Sequence, residues 1–199
     1  MELILIRHGR PERVEGAANG ADPGLTEIGT AQAQAAADWL KHEHIDALYV
    51  SSMVRARETS APIEAALGME ATVDDRVREY DAESSSYVPM EEVKADKDAW
   101  RRLMDYHANK NLTQFADTVM SALDEIIASH SGQRVAVVCH GGVINVAAAR
   151  VLGLSDSMFF NPFYTSVNRM LCSSGGHRSI ASLGDIGHLR HRPELRVGA

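Results

Sequence analysis

Two histidines occupy equivalent positions in this sequence, each directly after an apolar run and directly before a glycine. His8 follows the apolar residues 3–6 and Arg7, and His140 follows the apolar residues 135–139. A neutral imidazole nitrogen can attack phosphorus and carry a phosphoryl group covalently. An arginine beside it can bind the oxygens of a phosphate group through paired hydrogen bonds. These residue types in this order therefore predict phosphoryl chemistry.

The two apolar runs are expected to place both histidines at one edge of a sheet. Residues 3–6 and 135–139 are rich in apolar, β-branched side chains, which is typical of strands buried on both faces. Open α/β sheets bind ligands outside the carboxyl ends of their strands. If the strands are neighbours, His8 and His140 face the same point. The glycines that follow let backbone N–H groups turn toward a ligand, and a helix that begins after His140 adds partial positive charge.

A further strand-to-helix junction supplies another cation. Residues 46–50 are predicted to form a strand and residues 54–67 a helix, with Arg55 in its first turn. The helix dipole disfavours a cation at this end, so Arg55 fits best if it faces an anion. Arg57, in the same turn, is expected to lie in solvent.

Composition argues against several other classes of protein. The chain has 199 residues and a net charge of -7, which disfavours a nucleic-acid-binding protein. Cys139 and Cys172 form no CxxC pair, and His42 and His44 do not share a helix face, so no metal site is predicted. No apolar run approaches the ~18 residues that span a membrane. We therefore expect a cytoplasmic protein that does not enter membranes.

The sequence also lacks the motifs of competing chemistries. It contains neither the GxxxxGK[ST] nor the GxGxxG phosphate-binding pattern, and neither the HExxH nor the GxSxG catalytic pattern. Phosphoryl transfer on histidine needs arginines to stabilise the developing charge and a carboxylic acid to protonate the leaving oxygen. Because side chains supply the positive charge, this chemistry requires no metal ion and no other cofactor.

Several segments together resemble the histidine phosphatase superfamily, also called the phosphoglycerate-mutase-like family. Residues 5–9 (LIRHG) resemble its signature, and residues 138–142 (VCHGG) resemble its second histidine motif. Residues 23–33 (PGLTEIGTAQA) are similar to its PLTxxGxxQA segment. Residues 51–60 (SSMVRARETS) are similar to its SSPLxRAxxTA segment, with methionine in place of proline. The order and spacing extend over nearly the whole chain, up to residues 187–189 (GHL), where a His-Leu pair is common in the family.

The resemblance implies roles for four residues around the phosphoryl group. His8 would be the nucleophile that becomes phosphohistidine. Arg7, Arg55 and His140 would bind the transferring phosphoryl group, and His140 would also take part in catalysis.

A carboxylic acid is the remaining part of the machinery that the resemblance implies. Glu79 would be the proton donor, because it lies in a similar phrase after a short strand. Asp81 and Glu83 lie close by in the same charged stretch. The sequence leaves open whether one of them takes the place of Glu79.

The distal part of the substrate is expected to contact Arg10, Thr26 and Tyr80. Family members often have an acidic residue or glutamine after the Arg-His-Gly motif, where this chain has Arg10. Residues 81–86 also lack the family's Gly-x-Trp-Glu-Gly phrase. Both departures lie where the distal part of a substrate would bind, so the sequence leaves the substrate's identity open.

The resemblance implies a three-layer α/β/α fold with a mostly parallel central sheet, and the alternation of strands and helices is compatible with it. We expect residues 1–199 to form one histidine-phosphatase domain. The residues from about 80 to 112 are expected to form a cap over the core, and residues 89–111 within it are highly charged and helical in pattern.

These observations predict a metal-independent phosphatase that hydrolyses phosphomonoesters through a phosphohistidine intermediate on His8. One alternative is a phosphoglycerate-type mutase, although the family's mutases generally have more chain over the site. Another is a non-catalytic module that binds a phospho-ligand or a protein. The expected partner is a phosphorylated small molecule or a phosphoprotein. The oligomeric state stays open, with a dimer among the options.

Overall fold

A single sheet lies at the centre of the computed structural model, which describes residues 1–18, 21–109, 111–156 and 158–197. Its strands within these residues are β1 (Glu2–Arg7), β2 (Ala47–Val50), β3 (Thr72–Val73), β4 (Arg134–Cys139), β5 (Val167–Cys172) and β6 (Arg178–Asp185). They lie side by side in the order β3-β2-β4-β1-β5-β6. The two long apolar runs of the sequence, β1 and β4, are therefore neighbours in the middle of the sheet.

Strand directions agree with a mostly parallel sheet. β3, β2, β4 and β1 run parallel to one another, and β5 is antiparallel to both β1 and β6. A short turn joins β5 to β6, and a turn of that length requires antiparallel strands. The fold class predicted for the sheet is confirmed.

The register of β1 and β4 brings the two histidines level with each other. Arg7 pairs with Cys139 at the carboxyl ends of the strands. The N–H group of His8 then donates to the carbonyl oxygen of Cys139 over 3.0 Å. The backbone leaves the sheet after the last residue of each strand, so His8 and His140 occupy adjacent backbone positions.

Helices cover both faces of the sheet. They are α1 (Glu27–Leu40), α2 (Val54–Leu67), α3 (Met90–Ala95), α4 (Lys97–Asn109), α5 (Thr113–Ser129) and α6 (Gly141–Leu152). Because side chains alternate along a strand, Leu5 of β1 packs with residues of α5 and α6, whereas Ile6 packs with residues of α1 and α2. The predicted three-layer α/β/α arrangement is confirmed.

A capping residue sets the start of α1, and a break divides the helical segment that follows residue 89. Helix α1 begins at Glu27, because the hydroxyl group of Thr26 accepts a hydrogen bond from the N–H group of Gly29 over 3.0 Å and caps the first turn. The helical pattern of residues 89–111 is interrupted at Asp96, whose backbone is extended, and this separates α3 from α4. Residue 110 lies outside the described part of the chain.

The segment that precedes α3 lies against the loop that follows β1. Tyr87 and Val14 exchange backbone hydrogen bonds of 3.0 and 2.7 Å in an antiparallel bridge. In the first turn of α3, the carboxylate of Glu91 lies 2.5 Å from Nε of Arg10. These contacts hold the charged segment beside the carboxyl end of β1.

Both cysteines lie in the buried core, one in β4 and one in β5. Cys139 and Cys172 are both buried and unpaired, and burial raises the pKa of each thiol. In the part of the chain that the structure describes, no helix has the length and apolar character needed to cross a membrane.

Candidate active site

His8 lies at the carboxyl end of β1 and only 2 % of its surface is exposed. Its Nδ1–H donates to the carbonyl oxygen of Gly9 over 2.7 Å, and this leaves the lone pair on Nε2 for attack. Burial is the main cause that holds the pKa of His8 well below 6.5, and the positive charges of Arg55 and Arg7 add to it. His8 is therefore a neutral imidazole at physiological pH.

Close backbone packing fixes the loop after His8. A Cβ atom on Gly9 would lie 2.5 Å from the carbonyl oxygen of Gly29, so no larger residue fits there without displacing helix α1. The N–H group of Gly9 donates to Oγ1 of Thr59 over 2.9 Å, and the Thr59 hydroxyl donates to the carbonyl oxygen of Arg55 over 2.7 Å. This chain of contacts ties the position of His8 to the first turn of α2.

His140 follows β4 and faces His8, with 5.1 Å between the ring centroids. Its Nε2 atom lies 2.8 Å from Oγ of Ser51, at the carboxyl end of β2. Its Nδ1 atom is buried and has no hydrogen-bond partner among the described residues. Burial, followed by the charge of Arg55, lowers the pKa of His140 well below 6.5. A neutral ring with one unpartnered nitrogen suits a hydrogen bond to a bound oxyanion.

Arg7 presents a buried cation beside His8. Its Nη1–H groups donate to the carbonyl oxygen of Pro162 and, over 3.4 Å, to Oδ1 of Asn161. Its guanidinium carbon lies 4.4 Å from the ring centroid of Tyr164, close enough for a cation–π contact. Nε of Arg7 has no hydrogen-bond partner within the described residues. The surrounding contacts therefore orient the guanidinium group and leave one donor for a ligand.

Arg55, in the first turn of α2, is 1 % exposed and only loosely paired. Its Nη1 atom is 3.5 Å from Asp22 and its Nη2 atom is 4.0 Å from Asp81, both longer than a good hydrogen bond. Its guanidinium carbon lies 4.9 Å from the ring centroid of Tyr87. Nε and Nη1 have no hydrogen-bond partner among the residues described. Buried guanidinium donors in this state are well suited to a phosphate group.

Glu79 approaches the start of α6 next to His140. Its carboxylate accepts hydrogen bonds from the N–H groups of Gly142, over 2.9 Å, and Tyr80, over 3.1 Å. Desolvation of the carboxyl group is the main cause that raises the pKa of Glu79 to about 7, and the nearby charge of Asp81 raises it further. A carboxyl group with this pKa exchanges a proton readily near neutral pH.

The two alternative proton donors lie in different environments. The side chain of Glu83 is 88 % exposed and pairs with Arg78 over 3.3 Å. Asp81 lies 4.0 Å from Nη2 of Arg55 and faces the site. Glu79 is hydrogen-bonded to the first turn of the helix that follows His140. The geometry therefore favours Glu79 over Glu83 as the proton donor, and the charge of Asp81 raises the pKa of Glu79.

The residues expected around the distal part of a substrate differ in their positions. Arg10 lies beside helix α3, with its Nε atom 2.5 Å from the carboxylate of Glu91 and its Nη2 atom 3.5 Å from the carboxylate of Glu92. Tyr80 packs its ring edge-on against Phe115 with 5.9 Å between centroids. The hydroxyl group of Thr26 donates to the carbonyl oxygen of Arg10 and accepts from the first turn of α1. Both hydrogen bonds of the Thr26 hydroxyl group are therefore made to nearby backbone atoms.

Sequence reasoning assigned no role to several residues that complete the site. Ser51 and Thr59 belong to the segment that carries Arg55, yet only the structure shows that they contact His140 and Gly9. Tyr164, which covers Arg7, lies in a segment rich in aromatic residues, and this composition indicates burial but no particular contact. No local pattern reveals these contacts, because their partners are distant in the chain.

Acidic, histidine and cysteine side chains are the usual ligands of metal ions in proteins. Across the described residues, no three or more of them are arranged to hold a metal ion. The positive charge around His8 comes instead from the guanidinium groups of Arg7 and Arg55.

Known proteins resemble this chain in sequence. A model of the histidine phosphatase superfamily (branch 1) matches residues 3–185. Phosphoserine phosphatase 1 of Hydrogenobacter thermophilus is 30% identical over 173 residues, which are 81% of each chain. Phosphoglycerate mutase-like protein 4 of Arabidopsis thaliana is 30% identical over 211 residues, which cover 99% of this chain and 90% of that protein.

A solved structure shows the same fold. The phosphoserine phosphatase of Entamoeba histolytica in complex with phosphoserine superposes with a TM-score of 0.74 at 21% identity, covering 94% of this chain and 98% of that one. The match by the family model extends over most of the chain and includes both histidines. The chain therefore belongs to branch 1 of the histidine phosphatase superfamily, and the phosphomonoesterase class predicted from its sequence is the one these findings support.

Proposed function

We propose that this chain hydrolyses phosphomonoesters through a covalent phosphohistidine on Nε2 of His8. The observation that carries the proposal is a set of buried nitrogen atoms beside His8 that have no hydrogen-bond partner among the described residues, namely Nε of Arg7, Nε and Nη1 of Arg55 and Nδ1 of His140. Burying such groups without partners is costly unless a ligand satisfies them. A phosphoryl group offers three oxygens to these donors while its phosphorus atom faces the imidazole.

In the first step, the lone pair on Nε2 of His8 attacks the phosphorus atom. The P–N bond forms as the P–O bond to the alcohol breaks. The developing negative charge on the phosphoryl oxygens is stabilised by Arg7, Arg55 and His140. Protonated Glu79 gives its proton to the leaving alkoxide, so the product leaves as a neutral alcohol.

In the second step, the Glu79 carboxylate takes a proton from water and the water oxygen attacks the phosphohistidine. The P–N bond breaks, inorganic phosphate leaves, and His8 returns to its neutral state. Glu79 is then protonated for the next cycle. The guanidinium groups supply positive charge throughout, so the proposed cycle uses no metal ion.

The proposed substrate is a phosphorylated small molecule. Two findings support this class: the Hydrogenobacter relative is named a phosphoserine phosphatase, and the Entamoeba structure holds phosphoserine. We also propose that residues 1–199 form one domain in which the segment of about residues 80–112 caps the site. The ion pair between Glu91 and Arg10 supports this, because it holds the segment beside the loop after β1. We further propose a cytoplasmic location, which two unpaired thiols favour.

Phosphate release tests the proposal. We expect the wild-type protein to release phosphate from p-nitrophenyl phosphate and from phosphorylated small molecules in the presence of EDTA, and His8→Ala to release none. Loss of wild-type activity in EDTA, restored by a divalent metal, would contradict the metal-independent mechanism. Phosphate binding without turnover on any phosphomonoester would instead indicate a binding module.

A mutase is the second candidate, since the Arabidopsis relative is named as mutase-like. A mutase must keep the phosphorylated enzyme away from water, and the proposed cycle admits water at Glu79. With 3-phosphoglycerate and a trace of 2,3-bisphosphoglycerate, we expect free phosphate to exceed isomerised product. Rapid isomerisation with little free phosphate would favour the mutase.

A further inference from the structure

One residue next to the site has a strained backbone conformation that the proposed cycle does not explain. Thr165 has a φ angle of 56°, and within the described residues it is the only non-glycine residue with a positive φ. A β-branched residue rarely adopts this conformation, because it is sterically strained. The surroundings of Thr165 must therefore hold it in place.

Thr165 lies between two residues that contact the catalytic backbone and side chains. Its own N–H group donates to the carbonyl oxygen of His8 over 3.3 Å. The carbonyl oxygen of the next residue, Ser166, accepts a hydrogen bond from the N–H group of Arg7 over 3.2 Å. The preceding residue, Tyr164, places its ring 6.0 Å from the His8 ring and 4.4 Å from the guanidinium carbon of Arg7. The conformation of residues 164–166 therefore sets the positions of both Arg7 and His8.

His188 holds the side chain of Thr165 from the far side. The Thr165 hydroxyl carries one proton, which it donates to the carbonyl oxygen of Tyr164 over 2.7 Å. Nε2 of His188 lies 2.9 Å from the same hydroxyl oxygen. We assign the ring proton to Nε2, which then donates this second hydrogen bond, because Nδ1 is buried without a hydrogen-bond partner among the described residues and an unpaired N–H group there would be costly. Burial lowers the pKa of His188 to about 4, which keeps the ring neutral.

The elements around His188 fix its ring. It stacks on Trp39 of α1 with 5.2 Å between the ring centroids and 29° between the planes. A Cβ atom on the preceding Gly187 would lie 3.1 Å from the Trp39 ring, so the turn fits closely against the helix. The following Leu189 is fully buried in the same apolar cluster as Tyr164.

We propose that His188 is a positioning residue for the active site and that it acts through the Thr165 hydroxyl. Its hydrogen bond keeps residues 164–166 in their strained conformation. That conformation places Tyr164 over Arg7 and lets the Thr165 N–H group donate to the carbonyl oxygen of His8. This inference deepens the proposed phosphatase function and rests on it. It assigns a role to the histidine of the His-Leu pair at residues 188–189, which lies 48 residues after His140, the nearest member of the catalytic set in the sequence.

Variants at both ends of the hydrogen bond test this inference. His188→Phe keeps the stacking on Trp39 but removes the N–H group, and His188→Gln returns an N–H donor near the Nε2 position. Thr165→Val keeps the shape and the β-branch but removes the hydroxyl, and Thr165→Ser keeps the hydroxyl. The matched control is His130→Phe, because Nε2 of His130 makes a similar 2.9 Å contact with the Tyr49 hydroxyl away from the site.

The readouts are kcat/KM, the dissociation constant of inorganic phosphate and the unfolding temperature. We expect His188→Phe and Thr165→Val each to lower kcat/KM about tenfold and to weaken phosphate binding, because a small displacement of reacting groups is costly. The double variant should lose no more than either single variant. His188→Gln and Thr165→Ser should recover most of the loss, and His130→Phe should keep full activity.

Three results would overturn the inference: unchanged kcat/KM and phosphate affinity in Thr165→Val, losses that glutamine and serine do not restore, or equal losses in His130→Phe. Thr165→Val carries the test if His188→Phe folds poorly. Phosphate binding is measured without turnover. An inactive wild-type protein would therefore count against the proposed function, while the binding data would still decide the role of His188.

Discussion

At the scale of single residues, the two groups that exchange protons and phosphoryl in the proposed cycle have pKa values shifted in opposite directions. Burial and two neighbouring arginines lower the pKa of His8, so it is neutral and nucleophilic. Desolvation and Asp81 raise the pKa of Glu79 to about 7, so it holds a proton near neutral pH. One pocket thus keeps a base unprotonated and an acid protonated at the same pH.

These shifts predict the pH dependence of kcat/KM for an alkyl phosphate. Activity should fall as pH rises through about 7, because ionised Glu79 cannot protonate the leaving group. It should persist below pH 6.5, because the pKa of His8 lies well below that value. Asp81→Asn removes a negative charge beside Glu79 and should move the alkaline limb to lower pH. An alkaline limb that stays in place in both Asp81→Asn and Glu79→Gln would contradict this assignment.

Gly142 gives a second prediction at the residue scale. A Cβ atom at this position would collide with Oε1 of Glu79, whereas a Cβ atom on Gly141 would meet its neighbours at 3.8 Å or more. We expect Gly142→Ala to lower kcat for an alkyl phosphate by about 10- to 100-fold, the usual effect of losing a general acid. The loss should be smaller for p-nitrophenyl phosphate, whose leaving group needs no proton.

Gly141→Ala is the matched control for this prediction, since it adds the same methyl group one residue earlier. It should retain most of the activity on both substrates. Equal losses in the two variants, or a loss in Gly142→Ala that does not depend on the leaving group, would indicate a general disturbance of α6 and not of Glu79.

At the scale of elements, most residues of the site lie at the ends of strands and at the start of helices. β1, β4 and β2 end side by side and deliver His8, His140 and Ser51, while α2 begins with Arg55. The segment that we propose as a cap is joined to this edge by side chains. Glu91 of α3 contacts Nε of Arg10 at 2.5 Å and accepts a hydrogen bond from the hydroxyl of Tyr164 over 3.1 Å. One carboxylate thus connects the cap, the loop after β1 and the ring over Arg7.

This connection predicts that Glu91 controls substrate binding by the cap. Glu91→Gln should raise KM for a phosphorylated small molecule about three- to tenfold, as expected for the loss of one or two partly buried hydrogen bonds. kcat should change less, because no reacting atom touches Glu91. Glu92→Gln is the control, because Glu92 is more exposed and lies 3.5 Å from Arg10. Steady-state kinetics that show the same KM for wild type and Glu91→Gln would rule out this role.

At the scale of the whole molecule, the sequence predicts what depends on local patterns. Apolar runs ending in histidine predict β1, β4 and their neighbouring positions, and the parallel register then brings His8 and His140 together. The contacts that sequence patterns do not reveal join distant parts of the chain. Glu91 and Arg10 are 81 residues apart, and Asn161 and Arg7 are 154 residues apart. Such pairs depend on the packing of the complete fold, which leaves no periodic signal in the sequence.

The most direct test of the central claim is chemical trapping of phosphate on His8. The protein is mixed with an isotopically labelled phosphomonoester, quenched within milliseconds, and digested under alkaline conditions for mass spectrometry. We predict an acid-labile, alkali-stable phosphate on the peptide that contains His8, absent from His8→Ala and longer-lived in Glu79→Gln, which cannot activate water. Continuous release of phosphate by the wild-type protein with no label on His8 at any time would contradict the phosphohistidine mechanism.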